Sequence, residues 1–366
     1  MKIINVVGAR PNFMKIAPIH NLMLKTDGIK PVLVHTGQHY DEKMSKVFFD
    51  DLKMPEPDIY LNVGSGSHAV QTAKIMIEFE KVVLEHKPDL VLVVGDVNST
   101  VACTLVAVKL GVKCAHVEAG LRSFDKRMPE EINRMMTDVV SDYLFISEPS
   151  GIINLELEGT EERKMFFVGN VMIDSLINHL NAADGSQILE KLGVEKEKFC
   201  LVTLHRPSNV DDENNAKLLV ETLIEVSKKI KIVFPIHPRS LKNFEAMGIL
   251  KGFSDNENII LTEPLGYLDF VKLMKESKFL LTDSGGIQEE TTYLGKPCLT
   301  LRENTERPVT ISEGTNILIE KLDMNDILGH VDNILSGKAK KGTIPKCWDG
   351  KTAERIVEIL KAIKQG

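Results

Sequence analysis

The sequence has few cysteines, and they are not spaced as a metal site or a disulfide framework. All five stand far apart, without a Cys-x-x-Cys pair: Cys103, Cys114, Cys200, Cys298 and Cys347. This spacing excludes a zinc finger and a disulfide scaffold. No apolar run approaches the roughly 18 residues of a membrane span, and the run from Ile3 to Val7 is too short for a signal peptide. We therefore expect a reduced, cytoplasmic protein without a metal ion.

The chain also lacks a basic excess and a dinucleotide fingerprint. Its 45 basic and 52 acidic residues give a net charge of -7, which argues against a nucleic-acid or membrane-surface protein. The first apolar run meets Gly8-Ala9-Arg10-Pro11, which has one glycine and a proline where Gly-x-Gly-x-x-Gly would need three glycines. We therefore expect no NAD, and no other cofactor is indicated.

What the sequence does contain is a regular alternation of short apolar runs and longer segments of helical period. With 366 residues and 43% hydrophobic content, the chain is long enough for two domains. The alternation predicts βα units around parallel sheets. The expected fold class is α/β, with two doubly wound Rossmann-like domains. The predicted strands are 3–7, 31–35, 90–94, 113–117, 143–146 and 165–168, then 199–204, 230–236, 258–261, 279–282, 297–301 and 316–319.

The domain boundary is expected after the sixth predicted strand, before the polar link Ala182-Ala183-Asp184-Gly185-Ser186. This gives an N-terminal domain of residues 1–169 and a C-terminal domain of residues 170–351. An apolar stripe of helical spacing between Lys351 and Lys364 predicts an amphipathic terminal helix.

The most informative stretch is Asp283-Ser284-Gly285-Gly286-Ile287-Gln288-Glu289-Glu290, which follows an apolar run directly. Glycines between a strand and a helix let the backbone approach a phosphate, and the helix start attracts it. Glu289 and Glu290 lie about one turn later, where a carboxylate suits the hydroxyls of a ribose. The sequence therefore favours a nucleotide site here. The alternative is a simple Ser284 cap followed by acidic residues in the first turn.

A second group of charged residues follows strands of the first half. Arg10 and Lys15 follow the first strand, and carboxylates follow three further elements at Asp96, Glu118 and Glu130 with its neighbour Glu131. Crowded carboxylates shift each other's pKa, which supplies an acid and a base at neutral pH. We therefore predict acid/base chemistry here. Capping by Asp96 of the helix near Asn98, and first-turn placement of the glutamates, is the alternative.

Two histidines of the second half also end strands. His205 precedes Arg206-Pro207, and His237 precedes Pro238-Arg239, without the spacing of metal ligands. Arg307 follows a later strand and is placed to clamp a diphosphate opposite the glycines.

Taken together, these motifs resemble the non-hydrolysing UDP-N-acetylglucosamine 2-epimerases, from Gly8 to about Asn316. The motifs occur in the family's order: Gly8-Ala9-Arg10-Pro11 with Lys15, Thr36-Gly37-Gln38-His39, Gly95-Asp96, His116-Val117-Glu118-Ala119-Gly120-Leu121-Arg122, Pro129-Glu130-Glu131 with Asn133-Arg134, His205-Arg206, His237-Pro238, Asp283 to Glu290, and Thr305-Glu306-Arg307-Pro308.

The resemblance implies a fold of the GT-B type, with two domains facing a central cleft and the terminal helix 352–366 packing back onto the first domain. It implies reversible C2 epimerisation of UDP-N-acetylglucosamine to UDP-N-acetylmannosamine, through elimination of UDP to 2-acetamidoglucal and re-addition. The implied catalytic residues are Asp96, Glu118, Glu130 and His205. The implied substrate-binding residues are Arg10, Lys15, Gln38, His39, Glu131, Arg134, His237, Ser284, Gly285, Gly286, Glu290 and Arg307.

Some expectations rest on the resemblance alone and others stay open. A homodimer is implied, as is a second UDP-N-acetylglucosamine that activates bacterial members, although Asp41 replaces their usual Gln or Glu. Leu204-His205-Arg206-Pro207 departs from their Gly-His-Arg-Arg, which leaves a modified diacetamido uronic sugar open. A GT-B glycosyltransferase and a hydrolysing epimerase remain alternatives, while the three carboxylates count against a non-catalytic sensor.

Overall fold

The structure is a computed structural model that describes residues 1–37 and 55–365. The chain divides into two compact units, Met1–Asn178 with Lys346–Gly366, and His179–Pro345. The divisions therefore fall after residues 178 and 345.

A parallel sheet forms the centre of the first unit, with seven strands among the residues described. They are β1 (Lys2–Val7), β2 (Lys30–His35), β3 (Ile59–Tyr60), β4 (Leu90–Val94), β5 (Lys113–Ala119), β6 (Tyr143–Ile146) and β7 (Met165–Phe167). Their order is β3-β2-β1-β4-β5-β6-β7. The strand order reverses between β1 and β4, and ligands of such sheets bind outside the carboxyl ends of the strands at that point.

The second unit has its own parallel sheet, with six strands in the part of the chain that the structure describes. They are β8 (Phe199–Thr203), β9 (Lys231–Pro235), β10 (Ile259–Thr262), β11 (Phe279–Thr282), β12 (Cys298–Leu301) and β13 (Asn316–Ile319). Their order is β10-β9-β8-β11-β12-β13, with the reversal between β8 and β11. All the described strand pairs of this sheet are parallel.

Helices connect these strands in both units. The described helices are α1 (Arg10–Met23), α2 (His68–His86), α3 (Asn98–Lys109), α4 (Pro129–Val140), α5 (Pro149–Leu157), α6 (Val171–Asp184), α7 (Ile188–Leu192), α8 (Pro207–Val210), α9 (Glu213–Ser227), α10 (Pro238–Ala246), α11 (Lys251–Ser254), α12 (Tyr267–Glu276), α13 (Gly285–Leu294), α14 (Val309–Ser312), α15 (Met324–Leu335) and α16 (Thr352–Gln365). A short 3-10 helix spans Glu162–Lys164. The predicted α/β class with two parallel sheets is confirmed.

Burial explains why the strands read as continuous apolar runs. All five residues of β4 are buried, because the flanking helices cover both faces of a parallel sheet. In the second unit, the aromatic rings of Phe234, Phe244 and Phe253 pack within one buried cluster. No described helix is both long and apolar enough to cross a membrane.

The terminal helix α16 packs against α1 within the first unit. Hydrogen bonds hold both the segment before α16 and the first residues of the helix. The indole Nε1 of Trp348, which is buried, donates to the Ser147 carbonyl oxygen at 3.0 Å. The buried carboxylate of Asp174 accepts from the amides of Thr352 at 3.1 Å and Ala353 at 2.7 Å. These amides have no partner inside the helix, so Asp174 satisfies the start of α16.

Candidate active site

The carboxyl end of β5 carries a buried ion pair. Lys15 Nζ, from α1, lies 2.5 Å from Glu118 Oε2, and the two residues are 7% and 3% exposed. Among the described residues, no donor reaches the other carboxylate oxygen, Oε1. A buried carboxylate with one oxygen paired and the other open can accept a proton or contact a ligand.

The backbone at Glu118 adopts an unusual conformation. Its φ is +70°, in the left-handed region that residues other than glycine rarely enter, and the pairing register with β6 shifts between Val117 and Ala119. Two residues later, Gly120 has φ +80°, and a Cβ there would lie 2.4 Å from the Gly151 carbonyl oxygen. Glycine is therefore required at 120, and the strand end is held in a strained shape of the kind that clusters at functional sites.

Asp96 follows the end of β4, and two side chains of α4 contact it. Arg134 Nη1 lies 2.5 Å from Asp96 Oδ2, and Asn133 Nδ2 donates to the Asp96 carbonyl oxygen at 2.9 Å. The residue before it, Gly95, has φ +69°, and a Cβ there would lie 3.4 Å from Lys15 Nζ. The capping alternative is not observed, because Val97 is the N-cap residue of α3 and no side chain caps it. Asp96 is thus brought to the same strand ends as the Lys15 ion pair.

The two glutamates at the start of α4 differ in their surroundings. Glu131 is 1% exposed and accepts from the amides of Ser123 at 2.9 Å and Phe124 at 3.0 Å, as well as from Arg134 Nη2 at 2.8 Å. Burial raises the pKa of Glu131, but these bonds to the ionised form outweigh it and the pKa is lowered. Glu130 is half-buried in the same helical turn. Glu131 therefore holds a loop in place, whereas Glu130 is the more accessible carboxylate.

In the second unit, Asp283 organises the end of β8. It is buried, and its carboxylate accepts from the amides of His205 at 3.0 Å and Arg206 at 2.9 Å and from Asn209 Nδ2 at 3.1 Å. His205 Nδ1 lies 3.0 Å from its Oδ1. Burial raises the pKa of Asp283, yet these donors lower it overall. The carboxylate thereby orients the imidazole, an arrangement typical of a histidine that moves protons. The ring of His237 lies 6.0 Å from that of His205.

The start of α13 adjoins a cluster of buried charges. Ser284 is the N-cap residue, but its side chain makes no capping hydrogen bond. A Cβ on Gly285 would lie 3.1 Å from both Arg307 Nη1 and Glu306 Oε1, so glycine permits this close approach. Amides of a helix start with a guanidinium beside them form an anion-binding arrangement.

Arg307 is not isolated in this cluster. Its Nε lies 2.6 Å from Glu289 Oε1 and its Nη1 lies 2.5 Å from Glu306 Oε1. Arg302 Nη2 also contacts Glu306, at 2.8 Å, while its Nη1 is buried and has no partner among the described residues. The sequence pattern assigned no role to Glu306 or Arg302, because their contacts with the glycine stretch appear only in the fold.

Glu290 directly follows Glu289 in α13 but lies in a different environment. It is 4% exposed, and its Oε1 accepts from the Tyr267 hydroxyl at 3.0 Å. Burial raises its pKa to about 7, the Tyr267 hydrogen bond opposes that rise, and the neighbouring Glu289 adds to it. Tyr267 was another residue that the sequence pattern did not indicate.

Three predicted binding residues lie wholly or partly outside the described residues. Gln38 and His39 fall between residues 37 and 55, and the side chain of Arg10, the first residue of α1, is also outside the described part. Within the described part, no group of three or more His, Cys, Asp or Glu side chains is arranged to hold a metal ion.

The chain matches a family model described as UDP-N-acetylglucosamine 2-epimerase over residues 22–361. The UDP-N-acetylglucosamine 2-epimerase of Methanocaldococcus jannaschii is 44% identical over 365 residues, which cover 98% of this chain and 99% of that protein. The UDP-2,3-diacetamido-2,3-dideoxy-D-glucuronate 2-epimerase of Pseudomonas aeruginosa is 41% identical over 363 residues, covering 98% and 99%.

A solved structure agrees with these matches. The crystal structure of the Methanocaldococcus jannaschii UDP-GlcNAc 2-epimerase in complex with UDP-GlcNAc and UDP superposes with a TM-score of 0.91 at 43% sequence identity, covering 99% of this chain and 100% of that one. The chain therefore belongs to the UDP-N-acetylglucosamine 2-epimerase family of isomerases.

Proposed function

We propose that this enzyme interconverts UDP-N-acetylglucosamine and UDP-N-acetylmannosamine by inverting C2, without hydrolysis. The observation that carries the proposal is the buried Lys15–Glu118 pair beside Asp96, because it places carboxylates in two different environments at neighbouring strand ends. Proton removal and return at one carbon need such groups. The relatives named for this activity support the choice of substrate.

C2 carries no adjacent carbonyl, so simple enolisation is not available. In the proposed reaction a base takes the C2 proton, the C1–oxygen bond breaks with its electron pair leaving on UDP, and a C1=C2 double bond forms. The products are 2-acetamidoglucal and UDP, both of which stay bound. UDP then adds back to C1, and a proton reaches C2 from the opposite face.

The residues of the first unit take the proton and stabilise positive charge in this scheme. Asp96, Glu118 and Glu130 are the proposed catalytic carboxylates, and His205 of the second unit joins them as a proton-moving group oriented by Asp283. The other proposed substrate-binding residues of this unit are Lys15, Glu131, Arg134, Gln38 and His39. The proposed second, activating UDP-N-acetylglucosamine would use these last two residues.

The residues of the second unit hold UDP in this scheme. Amides of Ser284, Gly285 and Gly286 with Arg307 would bind the diphosphate, because cations and helix-start amides stabilise the charge that develops on the leaving group. Glu290 would accept the ribose hydroxyls. The remaining proposed UDP contacts are His237 of the second unit and Arg10 of the first.

The first test is incubation of the purified enzyme with UDP-N-acetylglucosamine in D2O, followed by proton NMR. UDP-N-acetylmannosamine carrying deuterium at C2 is the expected product. Free N-acetylmannosamine with UDP would instead identify a hydrolysing epimerase. An unchanged substrate, with or without a sugar acceptor, would refute the proposed substrate.

The Pseudomonas aeruginosa relative favours a second candidate substrate, a UDP-linked diacetamido uronic acid. Its elimination chemistry at C2 would be the same, so the carboxylates do not separate the two sugars. Offering both UDP-sugars in the same D2O experiment decides between them, because exchange of the C2 proton marks the one that is processed.

The residue roles are tested by Asp96→Asn and Glu118→Gln. Each keeps the side-chain shape but removes the negative charge, so turnover should fall by roughly 100-fold or more. UDP affinity, measured by calorimetry, should stay within about threefold, since UDP is assigned to the second unit. Glu156→Gln, on an exposed position of α5, is the matched control. Loss of UDP affinity in the first two variants would contradict the catalytic assignment.

We further propose a homodimer formed through one helical layer of the first unit. Helices α2 and α4 both pack against α3, and both carry large apolar side chains that are exposed. These are Val70, Ile77 and Leu84, seven residues apart on α2, and Ile132, Met136 and Val139 on α4. An apolar surface of this extent marks an interaction site. Light scattering should give about twice the 40.8 kDa chain mass, and Ile77→Lys should give the monomer, whereas the exposed Ile344→Lys should not.

A further inference from the structure

A buried histidine lies near the strand ends that carry Asp96 and Glu118, and it contacts neither carboxylate. His116, on β5, is fully buried. Its Nδ1 lies 2.6 Å from Asp138 Oδ1, and its Nε2 lies 2.8 Å from the Gly95 carbonyl oxygen. Both ring nitrogens therefore face oxygen atoms at hydrogen-bond distance.

Both of these oxygens are acceptors. The Gly95 carbonyl has no hydrogen to give, so Nε2 must carry a proton. Asp138 is 3% exposed, and its other oxygen accepts from Arg122 Nη1 at 2.7 Å and from the Gly120 amide at 3.1 Å. Burial raises the pKa of Asp138, but His116 and Arg122 lower it overall. His116 therefore faces a hydrogen-bond acceptor at each ring nitrogen.

Charged side chains surround this buried histidine. Asp138 faces it from α4, Arg122 follows β5 and contacts Asp138, and Glu158 pairs with Arg122 at 2.7 Å. These four side chains therefore form one connected chain of polar contacts. Buried charges are tolerated when they are paired and hydrogen-bonded in this way.

His116 and Asp138 both hydrogen-bond to backbone groups close to the proposed catalytic carboxylates. His116 holds the carbonyl of Gly95, whose φ of +69° makes the turn into Asp96. Asp138 holds the amide of Gly120, which closes the strained segment that begins at Glu118. The buried His116–Asp138 pair thereby connects the ends of β4 and β5.

We propose that His116 and Asp138 form a positioning pair that fixes Asp96 and Glu118 relative to each other for the reaction. The inference rests on the proposed function for its kinetic consequence. Neither residue needs to contact the substrate, because a displacement of the reacting groups by a fraction of an ångström is enough to slow chemistry.

The hydrogen bond from His116 to Gly95 is tested without substrate. The enzyme labelled with nitrogen-15 histidine has ten histidines, and the His116→Gln spectrum identifies the missing signals. The His116 ring should carry a proton on Nε2 that exchanges slowly, because the ring is buried and Nε2 donates to the Gly95 carbonyl oxygen. A His116 ring without a slowly exchanging Nε2 proton would overturn the inference.

The positioning role is tested by Asp138→Asn, which keeps the shape of the side chain and removes its charge. We expect kcat to fall about tenfold to 100-fold, the scale set by loss of a charged hydrogen bond, with KM and UDP affinity changed by less than about threefold. A role in stability alone would lower the melting temperature and leave kcat unchanged.

The matched control is His20→Gln in the same unit. His20 is also buried and bonds to Asn5 Nδ2 at 2.9 Å, but it contacts neither strand end named above. It should lose stability and keep its kcat. Unchanged kcat in a folded Asp138→Asn enzyme would refute the positioning pair. If the wild-type enzyme converts neither UDP-sugar, the proposed function fails, and the NMR result still decides whether His116 donates to the Gly95 carbonyl oxygen.

Discussion

Replacing Glu290 with glutamine removes a carboxyl group that folding buries, so its effect on stability should depend on pH. The wild-type side chain lies in α13 with its Oε1 on the Tyr267 hydroxyl. Burial, helped by Glu289 and opposed by Tyr267, raises its pKa from 4.5 to about 7. Glutamine keeps an oxygen for the hydroxyl and cannot ionise.

The direction follows from proton linkage. Because the folded-state pKa lies above the unfolded value, the folded protein holds this proton more tightly than the unfolded chain does. The group therefore favours folding at low pH, and that contribution is lost as pH rises from about 4.5 through about 7. At 1.36 kcal/mol per pKa unit the whole shift corresponds to about 3 kcal/mol, most of which falls between pH 5 and pH 8.

The assay is urea denaturation followed by circular dichroism at pH 5 and pH 8. The free energy of unfolding of the Glu290→Gln variant, minus that of the wild type, should increase by about 2 to 3 kcal/mol between these values. Subtraction cancels all other titrating groups. Glu221→Gln, at an exposed position of α9, is the control and should give a difference near zero, because that carboxyl is not buried on folding.

The UDP affinity of the wild type should increase with pH, whereas the contribution of Glu290 to stability decreases. An ionised Glu290 can accept both ribose hydroxyls, so wild-type affinity for UDP should increase as pH rises through about 7, whereas the variant should bind weakly at both values. A stability difference independent of pH would refute the burial argument. Unchanged UDP affinity in Glu290→Gln would refute the ribose assignment.

Two further predictions concern the first unit. Gly120→Ala should lower the free energy of unfolding, measured by urea denaturation, by more than about 2 kcal/mol, since it adds a clash with the Gly151 carbonyl to the strain of a positive φ. The control is Gly159→Ala, where φ is +79° and nothing lies within 4 Å of the added Cβ, and it should cost only about 1 kcal/mol. Trp348→Phe should cost about 1 to 3 kcal/mol, because the Ser147 carbonyl loses its donor; an unchanged melting temperature in calorimetry would show that this anchor contributes nothing.

The strands and their ends were predictable from the sequence because burial on both faces makes each strand a short apolar run. The predicted strand 143–146 coincides with β6, and 316–319 coincides with β13. The two-residue β3 was not predicted, since Ile59 and Tyr60 are too few to show a pattern. Rare polar residues directly after such runs then indicated the site, because parallel strands end at one edge of their sheet.

The partners of these residues were not predictable, because they come from distant segments. Asp283 binds the His205 loop across 78 positions of the chain, and Asp96 meets Arg134 across 38. The left-handed backbone at Glu118 is equally hidden, since glutamate has no preference for it. Such contacts depend on which strands are neighbours, which short-range patterns do not contain.

The same limit applies to the choice between capping and ligand binding at helix starts. Serine and acidic residues suit both uses, so the sequence left both open at Ser284 and Asp96. In the fold neither side chain caps its helix. Glu289 and Glu290 separate in the same way, because Glu289 is engaged by Arg307 whereas Glu290 meets only the neutral hydroxyl of Tyr267 among the contacts described. A carboxylate without a cation gains most from two hydroxyl donors, which is the physical reason to assign the ribose to Glu290.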